Sequence, residues 1–242
     1  MEVHAHTHTP RKKWTHYLWE FLMLFLAVFC GFLAENIREH KVENSRANEY
    51  GKSLMNDLYK DTTQLKVIEI EGSFAAACID TLRDVYLAGE SGPAYNAKLY
   101  WYADFTIWGL EFIQHDATLR QLLNSGNLRY FRNADLVNNI TYYNWLIGSI
   151  RDIQERDRIT INSVKGLHGK IFDMDIISKV RTILYGRNDV LIYTEADKQQ
   201  FFNTTPKLLN TDRGTLNEYI EWGETRKRRL ASMGELAKQA LD

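Results

Sequence analysis

Cysteine and proline are scarce in this chain, whose 242 residues include two cysteines and three prolines. Two cysteines cannot build the disulfide framework of a small secreted domain, and so few prolines exclude collagen and proline-rich disorder. An excess of either charge is also missing, because 30 Lys and Arg residues face 31 Asp and Glu residues. The chain as a whole therefore has no attraction for nucleic acid, and we predict none as a partner.

Catalytic and nucleotide-binding motifs are absent as well. The sequence contains no HExxH, no GxSxG, no GxxxxGK[ST] and no GxGxxG. His4, His6 and His8 alternate in a polar tail in which Glu2 is the one nearby acid, so we interpret the tail as solvated rather than as a metal site. We predict no metal and no cofactor.

One compact cluster of acids and an imidazole stands out in the middle of the chain: Glu111, His115 and Asp116. These residues could serve as a general acid and base, which keeps an envelope enzyme as a remote alternative. Charged positions on the exposed face of a helix are the commoner explanation of such a cluster, and we favour a protein that is not an enzyme.

Only one long hydrophobic run is present, which excludes a polytopic membrane protein. It has 14 residues without a charge, from Phe21 to Ala34, and it becomes long enough to cross a bilayer when extended over residues 17–37. This extension admits Glu20 close to the entry point. The predicted anchor also has an aromatic cluster at headgroup depth and a weak face of small residues for helix pairing, namely Trp14, Tyr17, Trp19, Ala27, Gly31 and Ala34.

A cleaved signal peptide is the main alternative to a membrane anchor. Cleavage after Ala34 would place Phe32 at position −3, and Phe29 precedes Cys30, so neither a signal-peptidase nor a lipoprotein site fits. We therefore predict an uncleaved signal anchor. Arg11, Lys12 and Lys13 before the span place the N-terminus in the cytoplasm by the positive-inside rule. The prediction is a cytoplasmic tail (1–16), a transmembrane helix (17–37) and a periplasmic domain (38–242), in a bacterial inner membrane.

The rest of the chain has the pattern of an all-α protein. Apolar residues recur every seven positions up to residue 87 and predict one long helix or two collinear ones. Gly51, Asp61 and Gly72 weaken this stripe as a coiled coil, so we favour packing on later helices of the same chain, with a parallel oligomeric stalk as the alternative. A turn over 88–93 then precedes an aromatic-rich helical region over 94–123. In the same way Ser125-Gly126 predicts a turn with a glycine at positive φ.

The second half of the chain predicts three further helices. Asn133 is a plausible N-cap for a helix reaching about Leu167, with Gly166 and Gly169 as its stop. A short helix over 173–185 ends at Gly186, and Thr211 or Asp212 caps a terminal helix to Leu241. Residues 190–194 predict an extended link, and Phe201, Phe202, Leu208 and Leu209 a short irregular element around Pro206.

The predicted exported domain contains one cysteine and one run of consecutive cations. Cys78 lies in the exported part while Cys30 lies in the apolar run, so they cannot pair within one chain, and we interpret Cys78 as a buried, inert thiol. Arg226, Lys227, Arg228 and Arg229 are consecutive cations in the terminal helix. The acids closest in sequence could neutralise them, namely Glu218, Glu221, Glu224 and Glu235. The alternative is contact with an external anion, lipid headgroups or envelope polymers.

Two stretches of the sequence resemble a large family of single-pass membrane proteins common in Bacteroidota. The first is the anchor with its exit, YLWEF (Tyr17–Phe21), AENIREHKVE (Ala34–Glu43) and LMNDLYKDTTQL (Leu54–Leu65). The second is LLNSGNLRYFRNADLVNNITYY (Leu122–Tyr143). The resemblance implies a single-pass topology with an α-helical exported domain. That family has no established activity, so the resemblance implies no catalytic residues.

These observations predict a membrane-anchored envelope protein that acts by interaction, as a scaffold or as an accessory subunit. Its partners would be the lipid bilayer and another envelope protein or a second copy of itself. The alternative is a sensory accessory protein, in which the long helix relays binding in the bundle across the membrane. Its weakness is that only about 16 residues precede the predicted span.

Overall fold

Helices make up almost all of the regular structure in the computed structural model, which describes residues 13–89, 92–186, 191–204 and 206–242. No β-strand occurs in these ranges, so the predicted all-α class is confirmed. Short 3-10 turns follow two of the helices, at Asp104–Thr106 and Asn127–Tyr130. The helices are α1 (Trp14–Leu87), α2 (Pro93–Ala103), α3 (Ala117–Asn124), α4 (Ala134–Ile171), α5 (Met174–Tyr185), α6 (Glu195–Phe202) and α7 (Arg213–Leu241).

The first helix, α1, is a single unbroken helix of 74 residues. At 1.5 Å per residue it is about 110 Å long. Its N-terminal part is exposed on every side through Val42, and its first buried residue is Leu54. The predicted seven-residue stripe from Leu54 to Leu82 is the buried face, so the expectation that α1 packs on later helices of its own chain is confirmed.

The terminal helix, α7, lies between α1 and α4 and runs antiparallel to both. Against α1, Tyr86 donates to Asn217 at 2.6 Å, and a Cβ at Gly72 would lie 3.7 Å from Gly234. Against α4, His168 pairs with Tyr219 and Asp157 with Arg226. Residue numbers therefore increase along α1 and α4 in the direction in which they decrease along α7. These three helices form the main part of the bundle.

Glycine allows α1 and α7 to approach closely. A Cβ built on Gly72 would lie 3.0 Å from the backbone oxygen of Leu230, and one on Gly234 would lie 3.3 Å from the backbone oxygen of Glu69. Such contacts are tighter than ordinary van der Waals separation. Gly72 is therefore the point of closest approach rather than only a weak position in the stripe.

The aromatic core lies at the end of the bundle farthest from the N-terminus of α1. Trp101 of α2 is 1% exposed, and its ring centroid lies 5.2 Å from Tyr193, 5.8 Å from Phe201 and 5.8 Å from Phe202. The prediction that Phe201 and Phe202 belong to an irregular element is wrong, because they end helix α6. This helix begins with a capping box between Thr194 and Asp197.

The prediction of one helical region over 94–123 is wrong. The segment consists of α2, a 3-10 turn, an irregular stretch over 107–116 and α3. Side chains take the place of the missing helical hydrogen bonds. Gln64 of α1 accepts from the Ile113 nitrogen at 3.0 Å and donates to the Ile113 oxygen at 2.9 Å, and Gln154 of α4 accepts from Phe112 at 3.0 Å. Two other helices therefore hold this stretch in an extended form.

Helix α4 begins as predicted but ends later. Asn133 accepts hydrogen bonds from the nitrogens of Asp135 and Leu136, which confirms the N-cap. Gly166 and Gly169 lie inside the helix, which reaches Ile171, so their assignment as a stop is wrong. Each glycine costs only about 1 kcal/mol in a helix, and the burial of Leu167 and Ile171 on the next turns outweighs that cost.

The remaining helix boundaries agree with the sequence. Asp173 caps α5, Gly186 ends it at a φ of +57°, and Asp212 caps α7. Gly126 has a φ of +67°, which confirms the turn at Ser125-Gly126. Leu191–Tyr193 have no regular structure and lead to the cap of α6, as expected of a link. The tail residues Glu2, His4, His6, His8, Arg11 and Lys12, part of the 88–93 turn and Val190 lie outside the described residues.

Candidate functional site

The predicted membrane anchor forms the N-terminal part of α1. Within the described ranges, α1 is the one helix long and apolar enough to cross a membrane, and its most apolar window is not covered by the rest of the chain. Phe21, Leu24 and Phe32 are each more than 60% exposed. So large an uncovered apolar surface indicates contact with a membrane or with another apolar partner.

The predicted anchor residues all lie on this uncovered segment. Trp14 and Trp19 are 77% and 64% exposed, and Tyr17 lies between them. Glu20 contacts His16, with 3.1 Å between Oε1 and Nε2. The small residues Ala27, Gly31 and Ala34 are exposed, and a Cβ on Gly31 would meet no atom within 4 Å.

The second stretch of the family resemblance packs against α1 just beyond the apolar run. Asn127 donates to the Tyr50 hydroxyl at 2.9 Å, and Arg46 donates to the Tyr130 hydroxyl at 3.2 Å. Closer to the apolar run, Arg132 lies 3.4 Å from the His40 ring. The turn after Ser125-Gly126 therefore braces the exposed part of α1, a role that its composition alone does not indicate.

Glu111, His115 and Asp116 do not form a common site, since no hydrogen bond or ion pair joins them in the described part of the chain. Asp116 pairs with Arg120 at 2.6 Å. His115 instead contacts Asp61 of α1, whose Oδ1 lies 2.8 Å from both the backbone nitrogen and Nδ1 of His115. The Asp61 Oδ2 accepts from the Tyr143 hydroxyl at 2.8 Å, and burial together with Asp61 raises the pKa of Tyr143.

Sequence reasoning missed Asp61 and Tyr143 as partners of His115. The signal was present, because Asp61 is the acidic interruption of an otherwise apolar stripe, and a buried carboxylate requires hydrogen-bond donors. Asp61 is only 1% exposed, whereas the His115 side chain is 40% exposed. Chemically, this arrangement fixes one imidazole at the surface and attaches the irregular 107–116 stretch to α1 and α4. No group of three His, Cys, Asp or Glu residues suited to a metal occurs in the described ranges.

The four consecutive cations of α7 have different environments. Arg226 is fully buried: Nε donates to Asp157 Oδ2 at 3.2 Å and an NH group donates to the Phe105 oxygen at 2.9 Å. Lys227 lies 2.8 Å from Asp80 and 2.9 Å from Glu224. Of the four glutamates named from the sequence, only Glu224 pairs with the run within the described residues.

The other two cations form no ion pair within the described residues. Arg229 donates to the Arg156 oxygen and to the Thr160 hydroxyl. Arg228 donates to Thr225 at 3.3 Å and is the one mostly exposed member of the four. An external anion could therefore reach Arg228 from the surface, but it has no access to Arg226.

Arg226 belongs to a polar network inside the bundle. Burial raises the pKa of Asp157 and lowers the pKa of Arg226. The attraction between the two charges shifts both pKa values in the opposite direction. Nearby, His168 Nδ1 lies 2.9 Å from the Tyr219 hydroxyl, and burial lowers the pKa of His168 to about 3. His168 is therefore neutral at physiological pH. Such buried polar contacts fix the register of α4 on α7.

Cys78 is buried, as expected for an inert thiol. Burial raises its pKa to about 12. The thiolate is the reactive form, so Cys78 is unreactive at neutral pH.

An apolar groove opens where α7 ends. It encloses about 480 Å³ between α1, α4 and the last residues of α7. Tyr142 lines it and stacks on Trp145 with 5.8 Å between ring centroids, and these two side chains are 53% and 58% exposed. The apolar residues lining it include Leu54, Leu58, Leu65, Leu119, Leu136, Ile140 and Leu146.

Comparisons of the chain with protein-family models, curated proteins and solved structures give no match. The resemblance to the Bacteroidota family therefore stays a prediction, and the geometry described above is the basis for a functional proposal.

Proposed function

We propose that this protein is a membrane-anchored interaction module of the bacterial envelope that is not an enzyme. In this proposal residues 17–37 span the inner membrane once, the N-terminus is cytoplasmic and the helical bundle is periplasmic. The bundle binds another envelope protein or a second copy of this chain. The observation that carries the proposal is the apolar groove at the end of α7, beside the exposed Tyr142 and Trp145.

The groove has the dimensions of a helix-binding site. Helix α1 lines the groove from Leu54 to Leu65, and α4 lines it from Leu136 to Leu146. Those 12 residues of α1 provide about 18 Å of wall. An amphipathic helix that lay along these residues would bury its apolar face there, which is a common mode of recognition between proteins.

Site-specific photocrosslinking tests this proposal. A photoreactive phenylalanine analogue replaces Tyr142 in the full-length protein in its native membrane, and the matched control replaces Ile159. Ile159 is also on α4 and is 69% exposed, but it does not line the groove. We expect a discrete product from position 142 and none from position 159, and Leu58→Asp should abolish it.

The size of the crosslinked product distinguishes the two kinds of partner. A product of twice the chain mass identifies a second copy, and any other discrete mass identifies a different envelope protein. The proposal fails if positions 142 and 159 give the same products, or if Leu58→Asp leaves the product from position 142 unchanged.

A sensory role is the second candidate, favoured by the continuity of α1. The helix passes without a break from the apolar run to the buried stripe, so a rotation of one end turns the other. Inserting two residues after Val42 rotates the bundle by about 200° relative to the span, whereas seven residues restore the phase to within about 20°. A relay predicts that only the seven-residue insertion restores the phenotype of a deletion strain. Equal rescue by both insertions rules it out.

A further inference from the structure

A polar cavity of about 420 Å³ lies between the irregular 107–116 stretch, α4 and α5. It is separate from the apolar groove and differs from it in chemistry. Two cations and three hydroxyl-bearing side chains line it, together with an indole ring, and no acidic residue among the described ones does so. These residues are Lys165, Arg181, Ser178, Thr182, Tyr185 and Trp108.

Arg181 is held in place by a fully buried carboxylate. Its Nε donates to Asp104 Oδ1 at 2.7 Å, and the Asp104 side chain is 0% exposed while that of Arg181 is 43% exposed. The terminal NH groups of Arg181 have no hydrogen-bond partner among the described residues. Asp104 therefore orients the guanidinium, and the two terminal nitrogens remain available for the paired oxygens of a carboxylate or phosphate.

Tyr185 and Trp108 shape the cavity next to Arg181. Tyr185 lines the cavity, yet the residue is 3% exposed and its hydroxyl is buried without a hydrogen-bond partner. Its ring stacks on Trp108 with centroids 4.0 Å apart, so the side chain is fixed. The stacked pair gives the cavity a rigid aromatic wall beside the Arg181 guanidinium.

The charge around the cavity favours an anion. Lys165 is exposed and has no ion-pair partner within the described ranges. Of the acids near the cavity, Asp104 is paired with Arg181 at 2.7 Å, and Glu71 lies beside Trp108. We infer that this cavity binds a small soluble oxyanion, with its phosphate or carboxylate group between Arg181 and Lys165.

The distance from the apolar run decides between a soluble anion and a lipid headgroup. Glu71, which contacts Trp108, follows Ile37 by 34 residues of the same helix. At 1.5 Å per residue this is about 51 Å along α1. The headgroup layer extends only about 5–8 Å beyond the hydrocarbon core. A lipid in the bilayer therefore does not reach the cavity.

Titration of the full-length protein in detergent micelles tests this inference. Inorganic phosphate and succinate are the two probes, each added at constant ionic strength maintained with sodium chloride. Binding is followed by tryptophan fluorescence and by the rise in melting temperature. We expect a saturable response to at least one probe.

Two variants locate the binding site. Lys165→Gln should weaken binding about tenfold by removing one charged donor, and its matched control Lys170→Gln, an exposed lysine on the same helix, should not change it. Arg181→Lys keeps a charge opposite Asp104 but removes the paired donors, so it should also weaken binding. Equal melting temperatures without probe confirm that the lysine variants fold.

The outcomes are distinct. A response to phosphate alone assigns a phosphate group to the ligand, and a response to succinate alone assigns a carboxylate. The inference is wrong if neither probe gives a saturable response up to about 10 mM, a concentration that would saturate even a weak specific site with a millimolar dissociation constant. It is equally wrong if Lys165→Gln and Lys170→Gln have the same effect, since that would show binding to general surface charge.

Discussion

The buried ion pair between Asp157 and Arg226 shows how single residues position the helices of the bundle. Both side chains are almost completely removed from solvent, and each retains one atom without a partner, Oδ1 of Asp157 and one NH nitrogen of Arg226. Burying two charges is expensive, and their mutual attraction offsets that expense only while both are present. Their main contribution is therefore to allow a single arrangement of α4 against α7.

Removal of one partner should expose that dependence. We expect Asp157→Asn to lower the free energy of unfolding by about 3–5 kcal/mol, because it leaves the Arg226 guanidinium uncompensated in the core. Asp152→Asn is the matched control: Asp152 is exposed on the same helix and should change stability by less than about 0.5 kcal/mol. Urea unfolding followed by circular dichroism measures both. Similar losses in the two variants would contradict the role of the buried pair.

His168 should make stability depend on pH. Its pKa is lowered from 6.5 to about 3 by burial and by the charge of Arg181, so the unfolded chain binds a proton that the folded chain rejects. This contribution is complete above pH 6.5 and is lost as the pH falls toward 3. We expect wild type to lose stability relative to His168→Gln at up to about 1.4 kcal/mol per pH unit within that window.

The difference between these two proteins is the informative quantity, since the carboxylates they share cancel in it. Chemical unfolding at half-unit steps from pH 7 to pH 4 provides the measurement. A constant difference across that range would show that His168 titrates normally in the folded protein.

At the scale of elements, the packing of α1 on α7 depends on a missing side chain. We expect Gly72→Ala to destabilise the protein by about 1–3 kcal/mol, because the new methyl group would press on the Leu230 backbone oxygen. Gly166→Ala provides the opposite control. It lies in α4 with no atom within 4 Å of the new Cβ, so it should stabilise the helix by about 0.5–1 kcal/mol. Melting temperatures that move in the same direction would refute this account of the close approach.

The helices that could be predicted from sequence are those whose signals are local. The apolar stripe of α1 and the side-chain caps Asn133, Asp173 and Asp212 depend on residues within a few turns of each other. Helix α6 has only eight residues, too few to show a period, and its capping box was the one available signal. The irregular 107–116 stretch could not be predicted, because the amides that hold it come from α1 and α4.

The same distinction applies to the candidate sites. The sequence placed His115 beside its chain neighbours, whereas its actual partner, Asp61, lies 54 residues earlier. The cavity around Arg181 combines α4, α5 and the 107–116 stretch, and the groove at the end of α7 requires three helices to be in place. The apolar run was fully visible, because a membrane anchor depends only on consecutive residues.

For the molecule as a whole, the proposed orientation can be tested with cysteine chemistry. Cys30 lies in the predicted span, and Cys78 is buried with its pKa raised to about 12, so the wild-type chain gives a low labelling background. We expect a membrane-impermeant maleimide, applied to cells with a permeabilised outer membrane, to label Ser163→Cys. Thr15→Cys should require disruption of the inner membrane. Both positions are exposed. Labelling of Thr15→Cys without disruption of the inner membrane, together with protection of Ser163→Cys, would show that the orientation is the opposite of the proposed one.

The antiparallel packing of α7 between α1 and α4 also has a consequence in time. Leu82, at the end of the buried stripe of α1, is synthesised about 130 residues before α7 begins at Arg213. At a synthesis rate of about 5–20 residues per second, that face of α1 stays uncovered for roughly 7–26 seconds before α7 is made. During this interval the nascent chain displays an apolar stripe from Leu54 to Leu82. Chaperones that act during synthesis should therefore bind α1 first and leave it once α7 has been made.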